Sequence, residues 1–269
     1  MTASTALDII IVNFNTATDL RRCVRSIDQH RPACPMYVTV VDNASSDGSV
    51  EMIRRDFPAI TVHALKENVG FAAANNIGIR ATTAPLMLLL NSDTEVGPGA
   101  LDALIGRLEA TDAAVAGPRL VGRDGHPELS WGPMLTPWQE LRQMLRMRVT
   151  RSRLPLGKVL LRRLLGRERW VDWVSGACLL VRRHAAEAVG LLDERYFMYE
   201  EDVDFCAAIR AHHGRVLFTP AAQIVHARGR SGAPSRFYTR SHIEFYRKHA
   251  PAWVPAVRLW HALRGRRAE

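Results

Sequence analysis

Three apolar runs in the first hundred residues end in amides, hydroxyls and carboxylates. "LDIIIVNF" gives way at Asn13 and Asn15, and "MYVTVVDN" at Asp42 and Asn43, with Ser45, Ser46 and Asp47 close behind. "PLMLLLN" ends at Asn91, Ser92 and Asp93. Such groups hydrogen-bond the base and ribose of a nucleotide; Asp42 is well placed for that role. A carboxylate such as Asp93 is a hard oxygen ligand for Mg2+ or Mn2+. Turns are rich in Asn, Asp and Ser for backbone reasons alone, so no one of these ends is decisive. Three together point to a cleft, because ligands of open α/β sheets sit beyond the carboxyl ends of the strands.

A second concentration lies later in the chain. Glu200-Glu201-Asp202-Val203-Asp204 places four acids in five positions at the start of a helical pattern. The positive end of the helix dipole favours one or two acids there, and four need a further reason. Successive helical residues are rotated by about 100°, so only part of the run can face a cleft. His226 follows the apolar stretch "AQIV", and Arg228 and Arg230 follow it. The arginines suit phosphate oxygens or simple solvation. In "NVGFAAANNIGI", Asn75 and Asn76 sit where Asn is a poor helix former. Asn68 there is a helix cap or a ligand contact, and Asn75 and Asn76 are ligand contacts or exposed. Gly176 and Ala177, in "SGACLLVRR", leave room for a ligand or for tight packing.

These positions hang on alternating elements. Short, continuous apolar runs are expected of strands buried on both faces. Runs near residues 7–14, 36–43, 59–65, 85–91 and 113–120 alternate with helical patterns such as "DLRRCVRSIDQH" and "ALDALIGRLEA". Repeated βαβ units imply a mostly parallel central sheet flanked by helices. "GRDGHPE" reads as a hairpin turn, and a basic, leucine-rich helical insertion follows over about 136–170. The pattern resumes with a strand in "VSGACLLVRR", a short helix in "AAEAVGLLDE" and a longer one in "EEDVDFCAAIRAH". "RVLFTP" and "AQIVHA" read as two short strands, and residues 236–269 as a helical tail. One domain over 1–235 with that tail is the expected organisation.

Composition excludes several classes. The 269 residues carry 36 Lys+Arg against 27 Asp+Glu, a net charge of +9. Ten basic residues and one acid lie between Arg142 and Arg169, and four and one between Arg258 and Glu269, so the rest of the chain is mildly acidic. Both basic segments mix Arg with Leu, Met, Trp and Val. That pattern fits amphipathic helices on an anionic membrane or solvated helical faces. Nucleic acid is not expected, because base-stacking aromatics beside the positive stretches are sparse. No G-x-G-x-x-G follows the first strand and no G-x-x-x-x-G-K-[ST] occurs, against dinucleotide oxidoreductases and P-loop ATPases. Cysteines 23, 34, 178 and 206 form no C-x-x-C pair. The start lacks a basic n-region and no apolar stretch approaches about 20 residues. A cytoplasmic protein, peripheral at most at the inner face of the membrane, is the expectation.

Read in order, "VDNASSDGS", "NVGFAAANNIGI", "LLLNSDTEV", "SGACLLVRR", "YFMYEEDVDFCAAIR" and "VHARGRS" resemble the family 2 glycosyltransferases of GT-A fold. The bacterial rhamnosyltransferase-like branch is the most similar, and the likeness covers roughly residues 7–235. It implies inverting transfer from a nucleotide-diphosphate sugar, dTDP-L-rhamnose favoured, to a glycan or polyprenyl-linked acceptor in cell-surface polysaccharide synthesis. It implies Mg2+ or Mn2+ held by Asp93 and His226. By the same resemblance Asp202 is the general base, with Glu201 the alternative base or a sugar-hydroxyl ligand. Asn13, Asn15, Asp42, Asn68, Gly70, Asn75, Asn91, Ser92, Asp93, Gly176, Arg228 and Arg230 then surround the donor. The family's usual D-x-D stands here as Asn91-Ser92-Asp93, and an amide ligates more weakly than a carboxylate. That departure motivates a second reading, a catalytically degenerate nucleotide-sugar-binding module.

Overall fold

The N-terminal half alternates strand and helix. A computed structural model describes residues 5–151, 163–227 and 236–265. The order is β1 (Leu7–Asn13), α1 (Ala17–Gln29), β2 (Met36–Asp42), α2 (Ser49–Asp56), β3 (Thr61–Ala64), α3 (Phe71–Arg80) and β4 (Leu86–Asn91). Next come β5 (Thr94–Val96), α4 (Ala100–Glu109), β6 (Ala113–Val121), β7 (Pro127–Glu128), β8 (Trp131–Gly132) and α5 (Pro137–Arg151). The remainder holds β9 (Arg169–Val171), β10 (Trp173–Val174), β11 (Cys178–Arg182), α6 (Arg183–Ala188), α7 (Glu201–Ala211) and β12 (Arg215–His226). A tail of α8 (Arg236–His249), a 3-10 turn (Pro251–Trp253) and α9 (Val254–Leu263) completes it.

The main sheet runs β3-β2-β1-β4-β11-β6-β12-β5. β3, β2, β1 and β4 are mutually parallel, as are β6 and β12, while β11 lies antiparallel between β4 and β6. Burial on both faces explains the unbroken apolar runs. Ile9 and Ile11 face a core shared with α1, α2 and α4; Ile10 faces one shared with α3, α6 and α7. Leu88 and Leu90 against Met87 and Leu89 repeat the division on β4.

β12 is one strand of 12 residues, where the sequence suggests two. Pro220 lies inside a register shift between Thr219 and Gln223. The bulge tolerates the missing N–H, so the strand carries on to His226. The helix expected over "AAEAVGLLDE" begins at Arg183 and ends at Ala188.

The tail packs on the helix that carries the acidic run. Tyr196 and Val203 share a core with Ile243, Phe245, Tyr246 and Val257. Buried Asp204 is not free for chemistry. It accepts from Lys248 (2.8 Å) and Tyr196 (3.2 Å) and pairs with His249 (2.6 Å). Gly70 opens α3 at φ +90, and a Cβ there would lie 2.7 Å from the Phe197 carbonyl oxygen. That carbonyl accepts from Phe71 N at 2.7 Å, tying α3 to the loop before α7. Gly70→Ala is therefore expected to cost about 2–3 kcal/mol. A urea midpoint shifted down at unchanged slope would register it; an unmoved midpoint refutes this role for Gly70.

Candidate functional site

The carboxyl ends of β1, β2 and β4 carry one polar network. The buried Asn13 amide donates to Asp42 Oδ2 (2.8 Å) and Ser45 Oγ (3.1 Å), and Asp42 Oδ1 accepts from Ser45 N (2.8 Å). Thr16 donates to Asn13 Oδ1 (2.6 Å) and meets Ser92 Oγ (2.8 Å). Asn15 takes a left-handed conformation, φ 52, and accepts from Ser46 N. Asn43 binds Asn68, Val69 and the Gly70 carbonyl. The residues flagged at three separated strand ends thus form a continuous polar lip.

Beside the lip opens a cavity of about 500 Å³ lined by Asn91, Gly176, Glu201, Asp202 and His226, among others. Tyr199 and Glu200 both have positive φ, 73 and 65. Two consecutive left-handed residues are costly without glycine. This turn starts α7 with its acids against the cavity. Asp202 Oδ2 accepts from Gly176 N (2.7 Å) and Oδ1 from Val203 N (2.8 Å). A Cβ on Gly176 would lie 3.2 Å from Asp202 Cβ, so this glycine admits the aspartate closely. Glu201 is buried and its Oε2 has no partner among the described residues. Burial, then the Asp202 charge, pushes the Glu201 carboxyl up to about 8. Burial also raises Asp202, against the pull of its backbone N–H donors.

At the β5–β12 edge, His226 Nε2 lies 3.4 Å from Asp93 Oδ1, and Nδ1 lies 3.2 Å from Glu128 Oε2. Burial pulls the imidazole down, but the hydrogen bonds to Asp93 and Glu128 outweigh it and lift it to about 9. Metal–donor bonds of about 2.1 Å place neighbouring ligands about 3.0–3.4 Å apart. The Asp93–His226 separation matches that bite. Asn91 Oδ1, on the same cavity, is buried without a partner among the described residues. A carboxylate, an imidazole and a spare amide oxygen are donor types that suit Mg2+ or Mn2+.

Other expected residues are placed differently. The Asn75 amide donates to Phe71 O within α3, and Asn76 is stitched to Leu192 and Glu194. Both are buried, not exposed, and neither lines the cavity. Gly70 meets Phe197. Arg228 and Arg230 lie outside the described residues, as does 152–162 of the basic insertion. Sequence reasoning missed Glu128, which looks like part of a turn until β7 pairs with β6. It also missed a second wall made by Glu140, Tyr238, His242 and Trp260 from α5, α8 and α9. His242 bridges Glu140 (3.0 Å) and His261 (2.9 Å), and Tyr246 also bonds Glu140. No periodic signal joins those segments in the sequence.

The mixed sheet, with β3-β2-β1-β4 parallel and β11 set antiparallel beside β4, has the GT-A architecture. Solved structures share the fold. GalNAc-T7 with UDP, GalNAc and Mn2+ aligns at TM-score 0.66 and 16% identity, over 92% of this chain and 48% of that one. A mannosyltransferase from Pyrobaculum calidifontis, with GDP-Man and Mn2+, aligns at 0.64 and 17%, over 95% and 69%. Residues 8–167 match glycosyl transferase family 2, and the chain belongs to that family. The N-acetylglucosaminyl-diphospho-decaprenol L-rhamnosyltransferase of Mycobacterium tuberculosis is 29% identical over 254 residues, 84% of this chain and 77% of the relative. A low-salt glycan biosynthesis hexosyltransferase of Haloferax volcanii is 28% identical, over 76% and 61%.

Proposed function

We propose that this glycosyltransferase moves L-rhamnose from dTDP-L-rhamnose, with inversion, to a hydroxyl of a polyprenyl-diphosphate-linked sugar in cell-surface glycan synthesis. It works at the inner face of an anionic membrane. The observation that carries the reading is one cavity with the Asp202 carboxylate on one wall and His226, paired with Asp93, on another. The mycobacterial relative's name supplies the sugar and the lipid-linked acceptor.

Asp42 and Ser45, braced from behind by the buried Asn13, meet the nucleoside at the strand ends. Asp93 and His226 would hold a divalent cation, and such a cation would supply positive charge to offset that of the departing diphosphate. Glu128 accepts from His226 Nδ1–H, which fixes the ring so that Nε2 faces Asp93. Asp202 takes the acceptor hydroxyl proton as that oxygen bonds to the anomeric carbon and the carbon–diphosphate oxygen bond breaks. Attack opposite the leaving group inverts the centre. Glu201, protonated at neutral pH, donates to a sugar hydroxyl.

A thermal-shift screen of nucleotide sugars with Mn2+, followed by transfer assays, tests this. A donor at 100 times its Kd adds about 2.7 kcal/mol to stability. dTDP-L-rhamnose is expected to raise Tm most and to be consumed when a GlcNAc-diphosphoryl lipid is added. A larger shift with a UDP- or GDP-sugar refutes the donor assignment. A shift with no transfer to any acceptor favours the binding-module reading.

A further inference from the structure

Helices α5 and α9 are far apart in the sequence, yet they meet. Arg264 Nη2 lies 3.8 Å from Met144 Sδ, and Gln143, Met144 and Trp260 line the same cavity. Both helices also carry exposed apolar side chains. Trp138, Leu141 and Leu145 recur at i, i+3 and i+7, on one face of α5. Leu259 and Leu263 recur at i, i+4 on α9, just after Trp253. Of nine large hydrophobic side chains exposed among the described residues, these are six, and Leu263 is 79% exposed. A soluble face scatters such residues; a cluster marks an interaction surface.

Among the described residues of α5 and α9, the charged side chains turned outward have one sign. Arg142 lies over Trp138 (6.0 Å) and Arg264 over Trp260 (4.1 Å), and Arg258 is exposed. Glu140, the acid of α5, is turned inward to His242 and Tyr246, and the α9 sequence contains no acid. A second copy docked face to face would set arginine against arginine with no carboxylate between. Leu and Trp ringed by Arg are instead complementary to an apolar layer beneath anionic headgroups.

We infer that the paired outer faces of α5 and α9 seat the protein on an anionic bilayer, with the aromatic wall of the catalytic cavity at the lipid surface. The inference deepens the reading above: the docking itself rests only on this surface, and its purpose rests on a lipid-linked acceptor. Docked this way, the α5–α9 edge of the cavity lies where a membrane-anchored sugar diphosphate would enter. Neither Leu141 nor Leu259 lines that cavity.

The experiment is sedimentation of the full chain with vesicles of phosphatidylcholine alone or mixed equally with phosphatidylglycerol. Wild type is expected to bind the mixed vesicles and to be released by salt. Leu141→Glu/Leu259→Glu is expected to lower binding about tenfold or more, with Tm and the donor-induced Tm shift unchanged. Arg142→Glu/Arg258→Glu is a second variant, expected to flatten the salt dependence. Wild-type binding by both variants overturns the inference, as does wild type that ignores anionic vesicles. So does a dimer in light scattering that the Leu variants dissolve without any vesicle binding. Donor binding and transfer to a water-soluble acceptor are measured separately, so failure of the rhamnosyl assignment leaves the vesicle result standing.

Discussion

Asp202→Asn is expected to lower kcat about a thousandfold, within the range a positioned general base contributes, while donor affinity changes little. Asp202 and Glu201 are adjacent, and the surroundings separate their roles. Asp202 accepts from Gly176 N and Val203 N, which favours its ionised form. Glu201 is buried beside that charge, its Oε2 without a partner among the described residues, which favours its protonated form. The surroundings thus suit Asp202 to the part of a base and Glu201 to that of a hydrogen-bond donor. Glu201→Gln keeps a donor at the same place and is expected to cost roughly tenfold or less, well under the loss from removing a base. Steady-state rates at saturating donor, with donor Kd measured in parallel, decide the matter. Asp202→Asn within tenfold of wild type moves the base to Glu201.

The same pair is expected to set the pH profile. As pH falls, Asp202 takes up a proton and the rate drops, with a midpoint above the ordinary aspartate range because burial raises it. As pH rises through about 8, Glu201 ionises beside Asp202 and its donated bond disappears. The rate should fall again there. In Glu201→Gln the alkaline limb traceable to this carboxyl is absent, because an amide does not titrate in that range. An alkaline limb unchanged in Glu201→Gln assigns it to another group.

Much of this site was legible in the sequence because buried strands are simple to read. β1 and β4 are covered on both faces, so they appear as unbroken apolar runs, and polar residues at their ends stand out. The acids of α7 stood out for a similar reason, being more than a helix dipole accounts for. What failed to show was anything fixed by distant pairing. Glu128 reaches His226 only because two residues of β7 add to the edge of β6. Pro220 looked like the end of a strand, and a bulge carries β12 past it to deliver His226. Asn76 looked like a ligand residue or a solvated one, and it satisfies the Leu192 backbone instead. Gly70 serves the backbone of Phe197. The basic, leucine-rich pattern of α5 and α9 was visible; their meeting across one cavity was not, since no local period encodes it.

Asp93→Ala should abolish both cation binding and turnover, and the reasoning extends to Glu128. At the β5–β12 edge, Asp93 would provide the charged oxygen and His226 the nitrogen, which lie 3.4 Å apart. Removing that oxygen leaves an imidazole and the Asn91 amide, too weak a set to retain Mn2+ against water. A loss of more than about a hundredfold in Mn2+ affinity is expected, larger than the 10–100-fold typical of an outer-shell partner. The backbone should survive, because the Asp93 carbonyl still accepts from Ala227 N (2.8 Å) and Thr94 still pairs with His226. Glu128→Ala frees the imidazole to turn and should weaken Mn2+ by about 10–100-fold. Glu128→Gln should weaken it less, since an amide oxygen can still accept from Nδ1–H. Loss of the free Mn2+ electron paramagnetic resonance signal on titration with protein and dTDP gives each affinity without reference to activity. Mn2+ bound as tightly by Asp93→Ala as by wild type would place the cation elsewhere. Equal affinities for Glu128→Ala and wild type would leave that carboxylate a plain ion-pair partner of His226.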